Sequence, residues 1–218
     1  MTTKSKSAST KAGVQGFAGR VGWDVTMSLD GFVAGSGDGL ELPLGKNGHR
    51  LFDWYFKGDT PSAYDASFKL SANDAKLFDE GVKTVGAIVA GRRTYDISRG
   101  WGGSFFIPVP FFVLTHKAPV EVPKGATSFT FVTDGIESAL KQAKAAAGDK
   151  MVGLMGASVA RQCIEIGRLD ELHLHIVHVL LGDGVRLFDH LGTHLVELEG
   201  TSVIESSDVT HLSFNVVK

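Results

Sequence analysis

Apolar residues recur along this chain in short blocks, each closed by a glycine or a polar cluster, and the spacing inside a block decides which element it predicts. Val21-Gly22-Trp23-Asp24-Val25-Thr26-Met27 reads as a first strand, and Ser28-Leu29-Asp30-Gly31 turns it into the apolar Phe32-Val33-Ala34. Val85 to Ala90 is a continuous apolar run with β-branched residues, short enough for a strand buried on both faces. Pro110 to Leu114, Phe129 to Val132 and Lys150 to Met155 repeat that pattern. Helical spacing lies between them. Ser71 caps a segment with Asp74 three residues on and with Ala75, Phe78 and Val82 along one face. Asp134 caps Ile136 to Ala147, which Gly148 closes, and Val159 to Ile166 forms another helix. His49 to Phe56 predicts a short helix with an aromatic packing face. In the last third Glu171 to Val177 alternates strictly, Gly182-Asp183-Gly184 turns, and Leu195 to Ser206 with Thr210 to Val217 predict a closing pair of strands.

Strand, crossover helix and strand alternate through the middle of the chain, which calls for an α/β fold: a mostly parallel central sheet flanked by helices, with antiparallel closing strands. In such sheets ligands sit outside the carboxyl ends of the strands. Three of the predicted strands end in groups suited to anions. The first runs into Gly91-Arg92-Arg93-Thr94, where a flexible glycine, two guanidinium groups, a hydroxyl and the start of a helix converge. The second ends in Thr115-His116-Lys117, and the third in the small residues Gly156-Ala157-Ser158 before a helix. Taken alone, the Gly91 to Thr94 stretch reads first as a strand-to-turn junction with two solvated arginines, and the rest of the chain shifts the reading toward an anion site. The Gly-rich loop from Gly35 to Gly48 reads as a lid over a ligand or as an irregular surface connection.

Composition narrows the partners. A chain of 218 residues with 43% hydrophobic and 21% charged residues can bury one substantial core, so residues 21–218 are expected to form one domain. A net charge of -2 with dispersed Lys and Arg argues against nucleic acid and for a small-molecule substrate. Cys163 has no partner for an internal disulfide, which fits a reducing, cytoplasmic setting. No apolar run is long enough to cross a bilayer. Residues 1–20 contain no acid and no sustained hydrophobic period, and are expected to be a flexible extension; a transit peptide would need more arginine and an amphipathic stripe.

Several stretches, taken together in their order, resemble the dihydrofolate reductase-like proteins that include the reductase domain of bacterial riboflavin biosynthesis, the RibD C-terminal family. They are Ser28-Leu29-Asp30-Gly31, Gly91-Arg92-Arg93-Thr94-Tyr95, Gly100-Trp101-Gly102-Gly103, Val132-Thr133-Asp134-Gly135-Ile136, Asp170-Glu171-Leu172-His173-Leu174 and Leu181-Gly182-Asp183-Gly184-Val185-Arg186-Leu187-Phe188. The resemblance runs from Val21 to the C-terminus. It implies a dihydrofolate reductase-type domain with NADPH as cofactor, and a homodimer, as many relatives form. It also implies that Gly91, Arg92, Arg93 and Thr94 match the cofactor phosphate loop. Thr115, His116 and Lys117, after Leu114, match the strand end that holds the adenosine 2′-phosphate. Gly156, Ala157 and Ser158, between Met155 and Val159, match the segment under the pyrophosphate, and Val33 and Ala34 line the nicotinamide. The chain departs from the pattern at two points. Met155 stands where the family places a glycine, and Asp53 is offset from the helix position of the pterin-binding carboxylate, which disfavours folate as substrate.

Hydride transfer takes its reactive atom from the cofactor, so the protein supplies orientation, exclusion of water and a proton. Asp30, Asp53 and His175 are the candidates for that proton chemistry, with a turn-forming role as the alternative for Asp30. His173 and His175 share one strand face and His178 lies on the other, so no three-ligand metal site is expected. The reading is therefore an NADPH-dependent reductase of a small planar or heterocyclic substrate. Two alternatives are a binding or cofactor-free protein whose nicotinamide site Met155 has closed, and a metal-dependent hydrolase built on His173 and His175.

Overall fold

The apolar blocks become the strands of an eight-stranded sheet in a computed structural model that describes residues 17–189, 191–192 and 195–218. Residues 1–16 of the expected extension lie outside the described residues. In chain order the strands are β1 (Val21–Ser28), β2 (Phe32–Gly35), β3 (Thr60–Pro61), β4 (Lys69–Leu70), β5 (Val85–Gly91), β6 (Phe111–Leu114), β7 (Phe129–Val132), β8 (Met151–Met155), β9 (Glu171–Val177), β10 (Gly184–Arg186), β11 (Leu198–Glu205) and β12 (Val209–Val216). The helices are α1 (Ala72–Thr84), α2 (Arg92–Ile97), α3 (Ile136–Ala147) and α4 (Ala157–Glu165), and Gly48–Tyr55 forms a 3₁₀ helix. The main sheet runs β11-β12-β9-β1-β8-β5-β6-β7. Strands β9 to β7 in that order pair in parallel, and β12 and β11 close it antiparallel. Two short ladders, β2 with β10 and β3 with β4, sit outside it.

One face is covered by α3 and α4. Val21, Trp23, Val89, Val152, Leu154, Leu172 and Leu174 pack there against Ala139, Leu140 and Ala143 of α3 and Val159, Ala160 and Cys163 of α4. Burial pushes the Cys163 thiol up to about 12, so it serves as a small hydrophobe. The other face carries two separate clusters. Leu51 and Trp54 of the 3₁₀ helix meet Leu70, Ala75, Val177 and Val209 in one, and Ile88, Ala90 and Phe111 meet Trp101, Phe105, Val109 and Met155 in the other.

The expected cap of the first α-helix is met. Ser71 Oγ accepts from the Asp74 N–H at 3.2 Å and caps α1. Other expectations are corrected. Asp134 does not cap α3, because the chain enters that helix through Gly135 at φ +100°, which leaves Asp134 one residue too early. Helix α4 starts at Ala157, two residues before its apolar period. No helix connects β6 to β7, whose link carries Pro119 and Pro123. Strand β9 forms over the residues that alternate, and both of its faces are covered. Among the described residues no helix is long and apolar enough to cross a membrane.

The topology fixes where a ligand can enter. Strands β1 and β8 pair only at Val21 with Val152 and Gly22 with Gly153, and then part. Beyond that point β1 pairs with β9 up to Ser28, while β8 pairs with β5 up to Met155. The helix that follows β1 in sequence, α1, packs on the face opposite to α4, which follows β8. Neighbouring strands whose connections leave on opposite faces define the crevice in which doubly wound sheets bind ligands.

Candidate active site

Strands β8, β5 and β6 are neighbours, so the three strand ends rich in anion-binding groups meet. Gly156 connects β8 to α4 at φ +104°, and a Cβ added there would lie 2.5 Å from Thr94 Oγ1. A Cβ at Gly91 would lie 3.3 Å from Ser158 Oγ. The β5–α2 and β8–α4 turns therefore touch through Gly91, Thr94, Gly156 and Ser158, an approach that side chains at the two glycines would block. The cradle has two hydroxyls and the first turn of α4, a donor set that fits a phosphate-bearing group. Val159 is fully buried behind it, and Ala157 packs into the main core.

The two arginines do not converge as expected. Arg92 turns toward the end of β6, where Nη1 donates to Thr115 Oγ1 at 3.2 Å and to the Lys117 carbonyl, while Nε is held by Asp96 at 2.8 Å. Arg93 turns the other way and pairs with Asp38 of the Gly-rich loop at 2.9 Å. The carboxylate of Asp96, four residues on, and that of Asp38 pull neighbouring guanidinium groups apart. His116 and Lys117 stay exposed beside Arg92, while Thr115 is buried and its hydroxyl is consumed by Arg92 and Lys117. Thus one patch of donors, the Arg92 and Lys117 cations with the His116 ring, stands at the β6 end. The Gly-rich loop is pinned at its base by Gly35 N to Leu44 O and Lys46 N to Ser36 O, and at its tip by the Asp38 pair.

Met155 pairs with Ala90 in the β8–β5 ladder, and its side chain packs in the Ile88, Ala90 and Phe111 cluster. Leu114 packs against the main core, as does Val33, whereas Ala34 sits in the β2–β10 ladder opposite Val185. Two surface depressions, of about 320 and 340 Å³, lie away from the cradle, one beside Leu169 and Val216 and one beside Tyr95 and Pro123.

Of the proton-chemistry candidates, Asp30 is a clamp. It accepts from Ser28 Oγ at 2.6 Å, from the Leu181 N–H at 3.1 Å and from the Gly182 N–H at 2.7 Å, tying the β1–β2 turn to the 181–182 segment. Desolvation opposes ionisation there, but these donors outweigh it and hold the carboxyl below its usual range. Asp53 lies on the outer side of its 3₁₀ helix, paired with Arg50 at 2.6 Å and with Lys57 at 3.9 Å, while Leu51 and Trp54 take the buried side. His175 is buried. Its Nε2 meets Asp24 Oδ1 at 2.9 Å and its Nδ1 meets His211 Nδ1 at 2.6 Å. His211 Nε2 in turn meets Asp74 Oδ1 at 3.1 Å, and Ser206 Oγ also donates to Asp74. Sequence reasoning named Asp74 only as part of the α1 cap, and did not single out Asp24 or His211. Alternation along β1 and β12, which puts Asp24 and His211 on the face of His175, was the signal available.

His173 continues the same polar face, with Ser213 at 3.0 Å on Nδ1 and Glu171 at 3.0 Å on Nε2, and Arg20 pairs with Glu171 at 2.8 Å. Both ring nitrogens of His173 and of His175 are thus engaged inside the protein, and among the described residues no group of three or more His, Cys, Asp or Glu is arranged to hold a metal ion. The Glu171–His173 pair has a pH signature. The hydrogen bond from His173 holds Glu171 below the usual carboxylate value of 4.5 against desolvation, with Arg20 helping. Burial would lower His173, but Glu171 and Asp24 raise it above the usual 6.5. The Glu171 contribution is present above 4.5 and fades as pH falls through its lower folded value. The His173 contribution is complete below 6.5 and fades as pH rises through its raised value. Urea unfolding of native protein and of His173→Gln should therefore differ most between 4.5 and 6.5. A difference that stays flat from roughly pH 5 to 9 contradicts this assignment.

Comparison with known proteins places this geometry. Residues 106–212 match the RibD C-terminal domain. No curated protein matches the chain. Among solved structures, a protein of Shewanella sp. PV-4 assigned to riboflavin biosynthesis is 20% identical with a TM-score of 0.62, covering 91% of this chain and 99% of its own. Dihydrofolate reductase of Enterococcus faecalis, solved with NADP(H) and RAB-propyl, is 15% identical with a TM-score of 0.56, covering 94% of this chain and all of its own. The diaminohydroxyphosphoribosylaminopyrimidine deaminase/5-amino-6-(5-phosphoribosylamino)uracil reductase of Thermotoga maritima is 13% identical with a TM-score of 0.59, and the match spans 91% of this chain but 56% of that longer one. These likenesses establish a dihydrofolate reductase-like fold.

Proposed function

From a chain whose residues 106–212 match the RibD C-terminal domain on a dihydrofolate reductase-like fold, we propose an NADPH-dependent reductase of a small planar or heterocyclic substrate. The observation that carries the proposal is the glycine cradle at the joined ends of β5 and β8, with the Arg92, His116 and Lys117 patch beside it at the end of β6. The residues fit the cofactor. Gly91, Thr94, Gly156 and Ser158 would hold its pyrophosphate, and Arg92, His116 and Lys117 its 2′-phosphate, the group by which NADPH differs from NADH. Bound there, the nicotinamide would supply the hydride. The chain's own part is to orient the acceptor in the β1–β8 crevice, exclude water and deliver a proton.

An aminopyrimidine phosphoriboside is the first acceptor to try, because the Thermotoga maritima neighbour is named for reducing one. Dihydrofolate itself is not proposed, since Asp53 is committed to Arg50 and Lys57. A second reading, a binding or cofactor-free role, is favoured by Met155 in place of a glycine at the end of β8. Its packing against Ile88, Ala90 and Phe111 supports the first reading instead, by giving the thioether an apolar seat.

A fluorescence titration with NADPH and NADH distinguishes them. The native protein should bind NADPH at least about tenfold more tightly than NADH, a difference of about 1.4 kcal/mol, and Arg92→Ala should remove most of that preference. Absence of NADPH binding by native protein, restored in Met155→Gly, would establish the closed-site reading.

A further inference from the structure

We propose that Asp24 is the proton donor of the reduction and that His175, His211 and Asp74 hold the proton it passes on; the assignment rests on the reductase reading above. Asp24 is the first residue on its face of β1 after the strand leaves β8, which places it at the rim of the crevice. Protein groups crowd it on the histidine side, yet its side chain keeps 58% of its surface accessible. Behind it the chain Asp24–His175–His211–Asp74 runs inward through contacts of 2.9, 2.6 and 3.1 Å, with His175, His211 and Asp74 all buried.

Counting protons along these contacts gives the chain its charge. Each of the three contacts needs one hydrogen, and a carboxylate supplies none. With both aspartates ionised, the two rings must carry three ring protons, so the pair holds one positive charge between two carboxylates. His175 then donates from Nε2 to Asp24 and from Nδ1 to His211, and neutral His211 donates from Nε2 to Asp74. Burial and the neighbouring His175 both hold His211 below the usual histidine range, in keeping with its being the neutral ring. Trp54 packs against both rings, its centroid 5.3 Å from His175 and 5.2 Å from His211, and shields the pair from solvent on that side.

The step balances. Bound in the cradle, a nicotinamide would supply the hydride, two electrons and one proton, to the carbon of a C=N or C=O bond of the acceptor, whose π pair would then lie on the heteroatom. That atom takes a proton from the Asp24 carboxyl, which has received it from His175 Nε2. His175 is left neutral, still donating from Nδ1 to His211, and a solvent proton returns through the exposed side of Asp24. His211 and Asp74 are positioning residues: they favour the charged form of His175 without touching substrate. The other titratable groups facing this chain are His173 and Glu171 on β9, Tyr55 on the 3₁₀ helix and Arg20 before β1.

The test uses the full chain with isotopically labelled histidine, observed by NMR, alongside NADPH binding and turnover with 5-amino-6-(5-phosphoribosylamino)uracil, the acceptor named for the Thermotoga maritima neighbour. In native protein the two rings should hold three protons at neutral pH, with coupling across the Nδ1···Nδ1 contact. Asp24→Asn, an exposed isosteric change, should lower the affinity of the pair for its third proton at least about tenfold. The variant should bind NADPH within about twofold of native while kcat falls at least about tenfold with KM little changed, and Asp24→Glu should recover part of it. Rings holding two protons, or an Asp24→Asn enzyme with native kcat, overturn the assignment. Native protein that fails to bind NADPH sinks the reductase reading itself and this role with it. If NADPH binds but this acceptor is not reduced, the ring-proton count decides.

Discussion

Gly156→Val is expected to weaken NADPH binding by at least about 100-fold while leaving a folded protein. Two physical effects act at that position. The backbone sits at φ +104°, ψ 134°, a region that a β-branched residue reaches only at a cost of about 1–3 kcal/mol. The new Cβ would also lie 2.5 Å from Thr94 Oγ1, so Thr94 or the β8–α4 turn must move. Either movement separates the hydroxyl and the backbone donors that the cradle brings together, which is why the loss falls on binding more than on stability. The effects separate in a second variant. Adding Thr94→Ala to Gly156→Val removes the nearest contact and should raise the melting temperature partway toward native, whereas NADPH affinity should stay low, because the strained backbone and the missing hydroxyl remain. Circular dichroism establishes that each variant is folded, and fluorescence titration reads the affinity. A folded Gly156→Val protein with native affinity would mean that the cofactor phosphate does not use this cradle.

That cradle was legible in the sequence because its logic is local. A short apolar run that stops at a glycine and is followed by hydroxyls and a helix can be read from a dozen residues, and both β5 with Gly91 and β8 with Gly156 have that form. The strands themselves were legible for the same reason, down to the bounds of Phe129–Val132 and Glu171–Val177. Where the reading went astray, a non-local interaction decided the outcome. Arg92 and Arg93 are adjacent in sequence, but Thr115 and Lys117 capture one and Asp38 the other, and no spacing rule announces either partner. The missing helix between β6 and β7 was a different kind of error: the alternation of strand and helix around it was extended across a segment whose prolines argued otherwise.

The Asp24–His175–His211–Asp74 chain marks the limit of such reading. Its members come from β1, β9, β12 and α1, and they meet only because β9 lies between β1 and β12 in the sheet while α1 covers that face. Polar residues at regular strand spacing identified a polar stripe on β9, with Glu171, His173 and His175 on one side, and stripes of that kind normally face solvent. Here the 3₁₀ helix and α1 cover part of it, and burial converts a solvated row into paired acids and bases.

Asp74→Ala is expected to cost about 3–5 kcal/mol of unfolding free energy, the range for removing one partner of a buried charge-bearing pair. Asp74 is 4% exposed and His211 3%, so nothing but the carboxylate is there to accept from His211 Nε2. Ser206 Oγ donates to the same oxygen from the turn between β11 and β12, and the carboxylate thus fastens α1 to the closing hairpin. Alanine leaves a buried ring N–H and a hydroxyl without an acceptor, and removes buried atoms from the face on which Trp54 and Ala75 pack. Asp74→Asn keeps an acceptor oxygen but loses the charge, and should cost about 1–2 kcal/mol less than alanine does. Glu80→Ala sets the baseline on the same helix: its pair with Lys76 spans 4.0 Å between exposed side chains, and its removal should cost no more than about 0.5 kcal/mol. Urea unfolding measures all three, and an unchanged slope shows that the native state still buries the same surface. An Asp74→Ala midpoint close to that of Glu80→Ala would mean that water reaches His211 and replaces the carboxylate. In that case the ring pair would have no need of Asp74 to hold its charge, and the inner end of the chain would contribute neither stability nor protons to Asp24.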